Sequence, residues 1–183
     1  MKCFLDTINE KYGSDKLKWN AIYDELLGPR RFEIKDVLEI GIYHGQSIMM
    51  WLDYFPNAKV YGIDNNSLGD RCVEKYVDPL VGPRFEYWIG DGAEKAFLAR
   101  VIGGKTFDLV IDDASHKVVD QIASFAFFRD KIKPGGYYVC EDIPLVQNLL
   151  EWWPSFSAGH LTYKGLRRAN GSPEMMAIFK REQ

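Results

Sequence analysis

The stretch Val37-Leu38-Glu39-Ile40-Gly41-Ile42-Tyr43-His44-Gly45-Gln46-Ser47 constrains the fold more than any other part of the chain. A short apolar run carrying one acid breaks at glycine, turns, and starts a helix. Gly41 and Gly45 lack a Cβ, so backbone there can approach a small ligand closely. The helix that begins near Gln46 turns free N–H groups and the positive end of its dipole to the same place. The spacing is Gly-x-x-x-Gly, not the Gly-x-Gly-x-x-Gly of a dinucleotide pyrophosphate site.

This strand-to-helix unit recurs. Apolar runs predict strands at Asp36–Gly41, Lys59–Asp64, Phe85–Ile89, Phe107–Ile111 and Tyr137–Cys140. Between them the pattern predicts a helix over Ser47–Tyr54 closed by Pro56, a helix or turn around Leu68–Val77, and a helix running through Arg100. Val118, Ile122, Phe125 and Phe128 mark the apolar face of a further helix that ends at Pro134-Gly135-Gly136. Near the start, Trp19, Ile22, Tyr23 and Leu26 recur at helical spacing before Gly28-Pro29. The tail reads as strands His160–Lys164 and Met175–Lys180 around a turn at Asn170-Gly171-Ser172-Pro173. Strands alternating with helices predict an α/β fold: a Rossmann-like, doubly wound sheet of seven strands, mostly parallel, with one antiparallel strand from the C-terminal hairpin. At 183 residues one domain is expected.

Charge and cysteine usage narrow the class. A formal net charge of −3 gives no general attraction to nucleic acid or to an anionic membrane. Arg30-Arg31 and Arg167-Arg168 read as solvated charge. Cys3, Cys72 and Cys140 are odd in number and unclustered, which fits a reducing cytoplasm better than a disulfide framework. The run Met1-Lys2-Cys3-Phe4-Leu5-Asp6 is too short in apolar residues for a signal peptide, and no stretch reaches the length of a membrane span.

In such a sheet, ligands bind at the carboxyl ends of the strands. Every predicted strand ends there in glycine or acid: Gly41, Asp64, Asp91 just after the third, Asp112-Asp113, and Glu141-Asp142. Acids also cap helices and fill turns, but a full row at one edge costs free energy unless a cation or donors compensate. Asp64 stands where a carboxylate would meet the two hydroxyls of a ribose, and Asp91 can accept from an adenine amino group. The glycine turn beside Glu39 suits a cofactor with an amino acid end better than one with phosphates.

Asp113, Glu141 and Asp142 supply hard oxygen ligands of the kind Mg²⁺ or another divalent cation takes. With no Cys-x-x-Cys pair and one histidine nearby, structural zinc is disfavoured. Such a cation would polarise a bound hydroxyl, and His116, three residues after Asp113, is the candidate general base. The alternative for a histidine here is a helix-start residue bonding backbone. His44 and His160 read as non-catalytic.

These residues resemble the class I S-adenosylmethionine-dependent methyltransferases. The likeness rests on Glu39-Ile40-Gly41-x-x-x-Gly45, Tyr61-Gly62-Ile63-Asp64, Gly90-Asp91, Phe107-Asp108-Leu109-Val110-Ile111-Asp112 and Lys133-Pro134-Gly135-Gly136. It implies S-adenosylmethionine held by Glu39, by the turn residues Gly41, Tyr43, Gly45 and Ser47, by Asp64 and Asn65, and by Asp91 and Gly92. Asp112 is expected nearby, with Tyr12 reaching in from the N-terminal segment. The implied organisation is one methyltransferase domain over residues 1–183, with residues 1–30 a helical segment covering the cofactor site.

Within that class the chain is similar to the metal-dependent O-methyltransferases that act on sugars of macrolide and polyketide antibiotics. In that group an Asp and a Glu-Asp pair hold Mg²⁺, and a His three residues after the first Asp is the base. Asp113, Glu141, Asp142 and His116 match. Lys11-Tyr12-Gly13-Ser14-Asp15-Lys16 and Tyr54-Phe55-Pro56-x-Ala58 are also typical of it. Catechol-type O-methyltransferases put lysine in the place of this histidine. Here Lys18-Trp19-Asn20 stand where the group has a histidine before Tyr23. The short stretch after Asp142 implies a substrate lid that is reduced or built by a neighbouring subunit of a homo-oligomer. Leu149, Leu150, Trp152, Trp153 and Phe156 there read either as a core helix face or as an acceptor pocket in which aromatics stack on a sugar. The expected reaction is methyl transfer from S-adenosylmethionine to a hydroxyl of a sugar or glycosylated small molecule, in natural product biosynthesis. The alternatives are a hydroxylase-like reaction on the same scaffold, since cephalosporin 7α-hydroxylase-like proteins lie close to this branch, and a non-catalytic S-adenosylmethionine-binding subunit.

Overall fold

The computed structural model describes residues 2–66, 82–143, 159–167 and 173–182. Helix α1 (Phe4–Tyr12), a 3₁₀ turn (Asp15–Lys18) and α2 (Asn20–Leu27) precede strand β1 (Asp36–Ile40). Then come α3 (Gln46–Tyr54), β2 (Lys59–Asp64), β3 (Phe85–Ile89), α4 (Lys95–Ile102), β4 (Phe107–Asp112), α5 (Val118–Phe128), β5 (Ile132–Ile143), β6 (Gly159–Arg167) and β7 (Pro173–Arg181). The sheet has seven strands in the order β3-β2-β1-β4-β5-β7-β6. The first five run parallel, and β7 is antiparallel to both β5 and β6, as the alternating pattern predicts. The predicted helix around Leu68–Val77, the aromatic stretch from Leu149 to Phe156, Cys72 and most of the Asn170–Pro173 turn lie outside the described residues. Among the described residues no helix is long and apolar enough to cross a membrane.

The period of two along each strand sorts side chains onto two faces. Val37, Val60, Leu109, Ile111, Val139 and Ile178 pack against α1, α2 and α3 through Leu5, Tyr23, Leu27, Ile48 and Trp51. Leu38, Ile40, Ile63, Val110, Tyr138 and Phe179 pack on the other face against Phe97 and Leu98 of α4 and Phe125 and Phe128 of α5. Both faces are thus covered, which is why the strands read as continuous apolar runs.

The boundary between α5 and β5 differs most from the sequence reading. Helix α5 ends at Phe128, and β5 already begins at Ile132, so Pro134-Gly135-Gly136 lie inside a strand rather than stopping a helix. The pairing with β4 jumps from Phe107–Ile132 to Leu109–Tyr137, an irregularity that leaves the proline without a ladder bond to donate. A Cβ on Gly136 would come 2.7 Å from the Asp108 carbonyl oxygen, so this bulge needs glycine.

Strand order reverses around β1, with β2 on one side and β4 on the other. Ligand crevices of doubly wound sheets open at such a switch point. Here Gly41 N donates to Ile63 O at 2.8 Å and Asp113 N donates to Ile40 O at 2.9 Å, joining the three strand ends. Gly41 has φ +94°, and a Cβ there would sit 2.2 Å from the Asp113 carbonyl oxygen. This glycine is therefore demanded first by a neighbouring backbone, a reason that adds to the clearance for a ligand expected from sequence.

Candidate active site

A cavity of about 760 Å³ opens at the switch point, within the range of small-molecule sites. Of the residues expected to hold the cofactor, Gly41, Tyr43, Ser47, Asp64, Asn65, Asp91, Gly92 and Asp112 line it, as do Asp113 and His116. Gly45, at φ +75°, caps the N-terminus of α3. Asp64 Oδ2 accepts from the N–H groups of Ile42 and Tyr43 at 2.8 and 3.1 Å, and Oδ1 from Asn66 N at 2.7 Å. A carboxylate has roughly four acceptor positions, so about one remains for a ligand hydroxyl. Asp91 Oδ1 accepts from Ala93 N at 2.8 Å and holds its own turn.

Tyr12 is not among the lining residues. Its hydroxyl donates to Asp53 Oδ2 on α3 at 2.5 Å, beside Lys11. The N-terminal segment reaches the cavity instead through Gly13, Ser14 and Asp15. Glu39 is also outside the lining. It is buried beneath the cavity, where its Oε2 accepts from Ser47 Oγ at 2.8 Å.

The acids at the ends of β4 and β5 divide by strand period. Asp112 follows Val110 onto the α5 face, where the Tyr138 hydroxyl donates to its Oδ2 at 2.7 Å. Burial pushes its carboxyl up to about 6, against the pull of hydrogen bonds from Tyr138 and Ser124. Asp113 and Glu141 follow Ile111 and Val139 onto the opposite face, the one Glu39 also takes. There they meet Lys16, a residue that sequence reasoning gave no role. Lys16 Nζ lies 2.6 Å from Asp113 Oδ2, 3.0 Å from Glu39 Oε1 and 3.1 Å from Glu141 Oε1, with its side chain 1% exposed. Burial alone would lower its basicity, but the Asp113, Glu141 and Glu39 carboxylates outweigh that and keep it charged. Glu141 also accepts from the Tyr23 hydroxyl at 2.5 Å, and burial raises its carboxyl against the opposing pull of the Lys16 ammonium.

Glu141 therefore faces Lys16 and Tyr23, and the group of metal-competent atoms that converges is different from the expected trio. Ligand atoms of Asp113, His116 and Asp142 lie within 4.8 Å of one another. Asp142 reaches this group because the β5–β7 register shifts between Cys140 and Ile143 and its own φ is +50°. His116 has φ +54°, and its Nδ1 stands 3.9 Å from Asp113 Oδ1. Its turn is closed by Ser115, whose hydroxyl accepts from Lys117 N at 3.2 Å and donates to Asp120 at 2.7 Å. Left-handed backbone at a non-glycine residue costs about 1–3 kcal/mol. Two such residues at one cluster mark a place where the surroundings hold strain to aim side chains.

Lys18 was also missed. Its Nζ grips both oxygens of Asp142, at 2.8 and 3.0 Å, and Glu174 Oε1 at 2.6 Å. The motif around Lys16 was visible in sequence, but nothing in a linear pattern says that a lysine will be buried against acids more than twenty residues away. Tyr23 was legible only as an apolar helix position.

Comparison with known proteins adds ancestry to this geometry. A family model described as "Methyltransferase domain" matches residues 38–143. The chain is 30% identical over 163 residues to 8-demethyl-8-alpha-L-rhamnosyl tetracenomycin-C 2'-O-methyltransferase of Streptomyces olivaceus, covering 82% of this chain and 39% of that protein. It is 32% identical over 164 residues to mycinamicin VI 2''-O-methyltransferase of Micromonospora griseorubida, covering 83% of this chain and 38% of that protein. The chain thus spans less than half the length of these relatives. The crystal structure of the MycE methyltransferase from the mycinamycin biosynthetic pathway, in complex with Mg and SAH, superposes with a TM-score of 0.74 at 24% identity, over 100% of this chain and 55% of that one. That of the O-methyltransferase TomG from Streptomyces achromogenes, in complex with SAM, gives 0.68 at 15% identity, over 98% of this chain and 88% of that one. At those identities the structural likeness speaks to the fold, whereas the family match covers more than half of the sequence: this chain belongs to the methyltransferase domain family.

Proposed function

We propose that this domain moves a methyl group from S-adenosylmethionine to a hydroxyl of a sugar or glycosylated small molecule, with a divalent cation at the acceptor. The carrying observation is one cavity with two chemistries at its rim: the glycine turn, Asp64 and Asp91 on one side, Asp113 and His116 on the other. Relatives that methylate sugar hydroxyls of antibiotics support the acceptor class. The cavity volume and the acceptor position remaining on Asp64 suit a nucleoside with an amino acid tail. The Asp113 and Asp142 carboxylates, which converge with His116 within 4.8 Å, suit a hard divalent cation such as Mg²⁺ and leave the imidazole beside it for proton transfer.

When bound, S-adenosylmethionine supplies an electrophilic methyl group and the cation a Lewis acid for the acceptor oxygen. The chain's part is placement and proton transfer. Asp64 would accept from a ribose hydroxyl and Asp91 from the adenine amino group. The Gly41–Ser47 turn, with Glu39 beneath it bonded to Ser47, would receive the amino acid end. Asp113 and Asp142 would hold the cation. His116, with Nδ1 turned to Asp113, offers Nε2 to take the acceptor's proton. Holding acceptor and methyl group in line supplies much of the rate.

The test is incubation of the full chain with Mg²⁺, donor carrying a labelled methyl, and a panel of rhamnosylated and macrolide-type glycosides, read by mass spectrometry. A gain of one labelled methyl on a hydroxyl is expected. Donor binding by calorimetry together with no methylated product from any hydroxyl acceptor would overturn the proposal.

A further inference from the structure

Two lysines of one 3₁₀ turn meet the acid cluster in different ways. Lys16 is locked among three carboxylates at 1% exposure. Lys18 is 32% exposed and touches two, Asp142 and Glu174. Its nitrogen is almost equidistant from the two Asp142 oxygens, at 2.8 and 3.0 Å. It therefore sits near the bisector of that carboxylate, where a chelated cation would sit. Asp142 is also the residue that a strained backbone and a strand bulge turn toward Asp113 and His116.

We propose that Lys18 and a divalent cation compete for Asp142, so that Lys18 sets the cation affinity of this site. The inference rests on the cation reading given above. A divalent ion joining Asp113 and Asp142 beside His116 either displaces the ammonium or lies against it, and like charges that close repel strongly. Glu174 makes displacement inexpensive. Its carboxylate already holds the ammonium at 2.6 Å and is 5% exposed, so Lys18 can leave Asp142 without becoming an unpaired charge. The divalent charge is what wins the exchange, and a monovalent ion gains no advantage over the ammonium it replaces.

The experiment titrates the full chain with Mn²⁺ and follows free Mn²⁺ by electron paramagnetic resonance. Lys18→Met is expected to tighten Mn²⁺ binding roughly tenfold. Glu174→Gln, which removes the second holder and leaves the ammonium to Asp142, is expected to weaken it. Asp113→Asn should abolish binding in both backgrounds, and Mn²⁺ that still binds at full affinity lies elsewhere and overturns the inference. Equal or weaker binding in Lys18→Met overturns it while the cation reading stands. No binding in wild type or in Lys18→Met overturns the cation reading and the inference together. If Lys18→Met fails to fold, judged by circular dichroism, Glu174→Gln decides alone: weaker binding supports competition and unchanged binding refutes it.

Discussion

Lys16 Nζ stands 2.6 Å from Asp113 Oδ2, across 97 positions of sequence, and ties the N-terminal 3₁₀ turn to the end of β4. The same ammonium reaches Glu39 at the end of β1 and Glu141 near the end of β5. Among the described residues it is the ammonium that these three acids share, and it joins the floor of the glycine turn to the acid cluster.

Removing that charge strands carboxylates in the interior. Lys16→Met is expected to lower unfolding free energy by about 3–5 kcal/mol, the cost of breaking a buried pair on one side. Urea denaturation at neutral pH measures it. Adding Glu39→Gln should recover part of the loss, and a deficit below about 1 kcal/mol would show that the acids find other compensation.

Gly41→Ala tests the crossing of strand ends. The added methyl meets the Asp113 carbonyl oxygen at 2.2 Å, and the backbone stands at φ +94°. A loss of about 2–4 kcal/mol is expected in thermal or denaturant unfolding. If the variant is as stable as wild type, that strand crossing is looser than the geometry says.

Asp112 gives stability a pH dependence of known sign. Burial raises its carboxyl from 3.8 to about 6, so the folded state binds more protons than the unfolded chain across that window. Its contribution to stability therefore falls as pH rises through the window and is level above it. Asp112→Asn should gain stability relative to wild type between about pH 4 and pH 7, by up to about 3 kcal/mol. Difference curves from urea melts across pH check this, and a flat difference contradicts it.

The two sides of the cavity should separate by mutation. His116→Ala is expected to lower methyl transfer by about 10²–10⁴-fold while leaving donor affinity, read by calorimetry, near wild type. Asp64→Asn should do the reverse, weakening the donor roughly tenfold through lost acceptor capacity. Undiminished turnover in His116→Ala would remove it as the base.

Chelation tests the cation. Treatment with excess EDTA followed by dialysis is expected to stop methyl transfer, and Mg²⁺ to restore it. Persistent turnover would remove the cation from the proposed reaction.

The row of acids and glycines at strand ends, the strand-helix alternation and the closing hairpin were all legible in sequence. These features rest on short-range rules: periodicity of two or of 3.6, glycine at turns, and ligands at the carboxyl edge of parallel strands. They placed β2 and β3 to the residue and gathered Asp64, Asp91, Asp113 and His116 around one cavity. Other placements depended on which face a side chain takes and on what lies opposite. Asp112 and Asp113 are adjacent in sequence yet face α5 and the N-terminal segment respectively, because neighbours on a strand point to opposite sides. A bulge and a left-handed backbone brought Asp142 to the cluster, while the regular period of two sent Glu141 to Tyr23. Lys16 and Lys18 entered only when the N-terminal turn packed over the sheet edge. Burying a charge is unfavourable until its partners are in place, and those partners are assembled by the sheet, not by the sequence around the lysines.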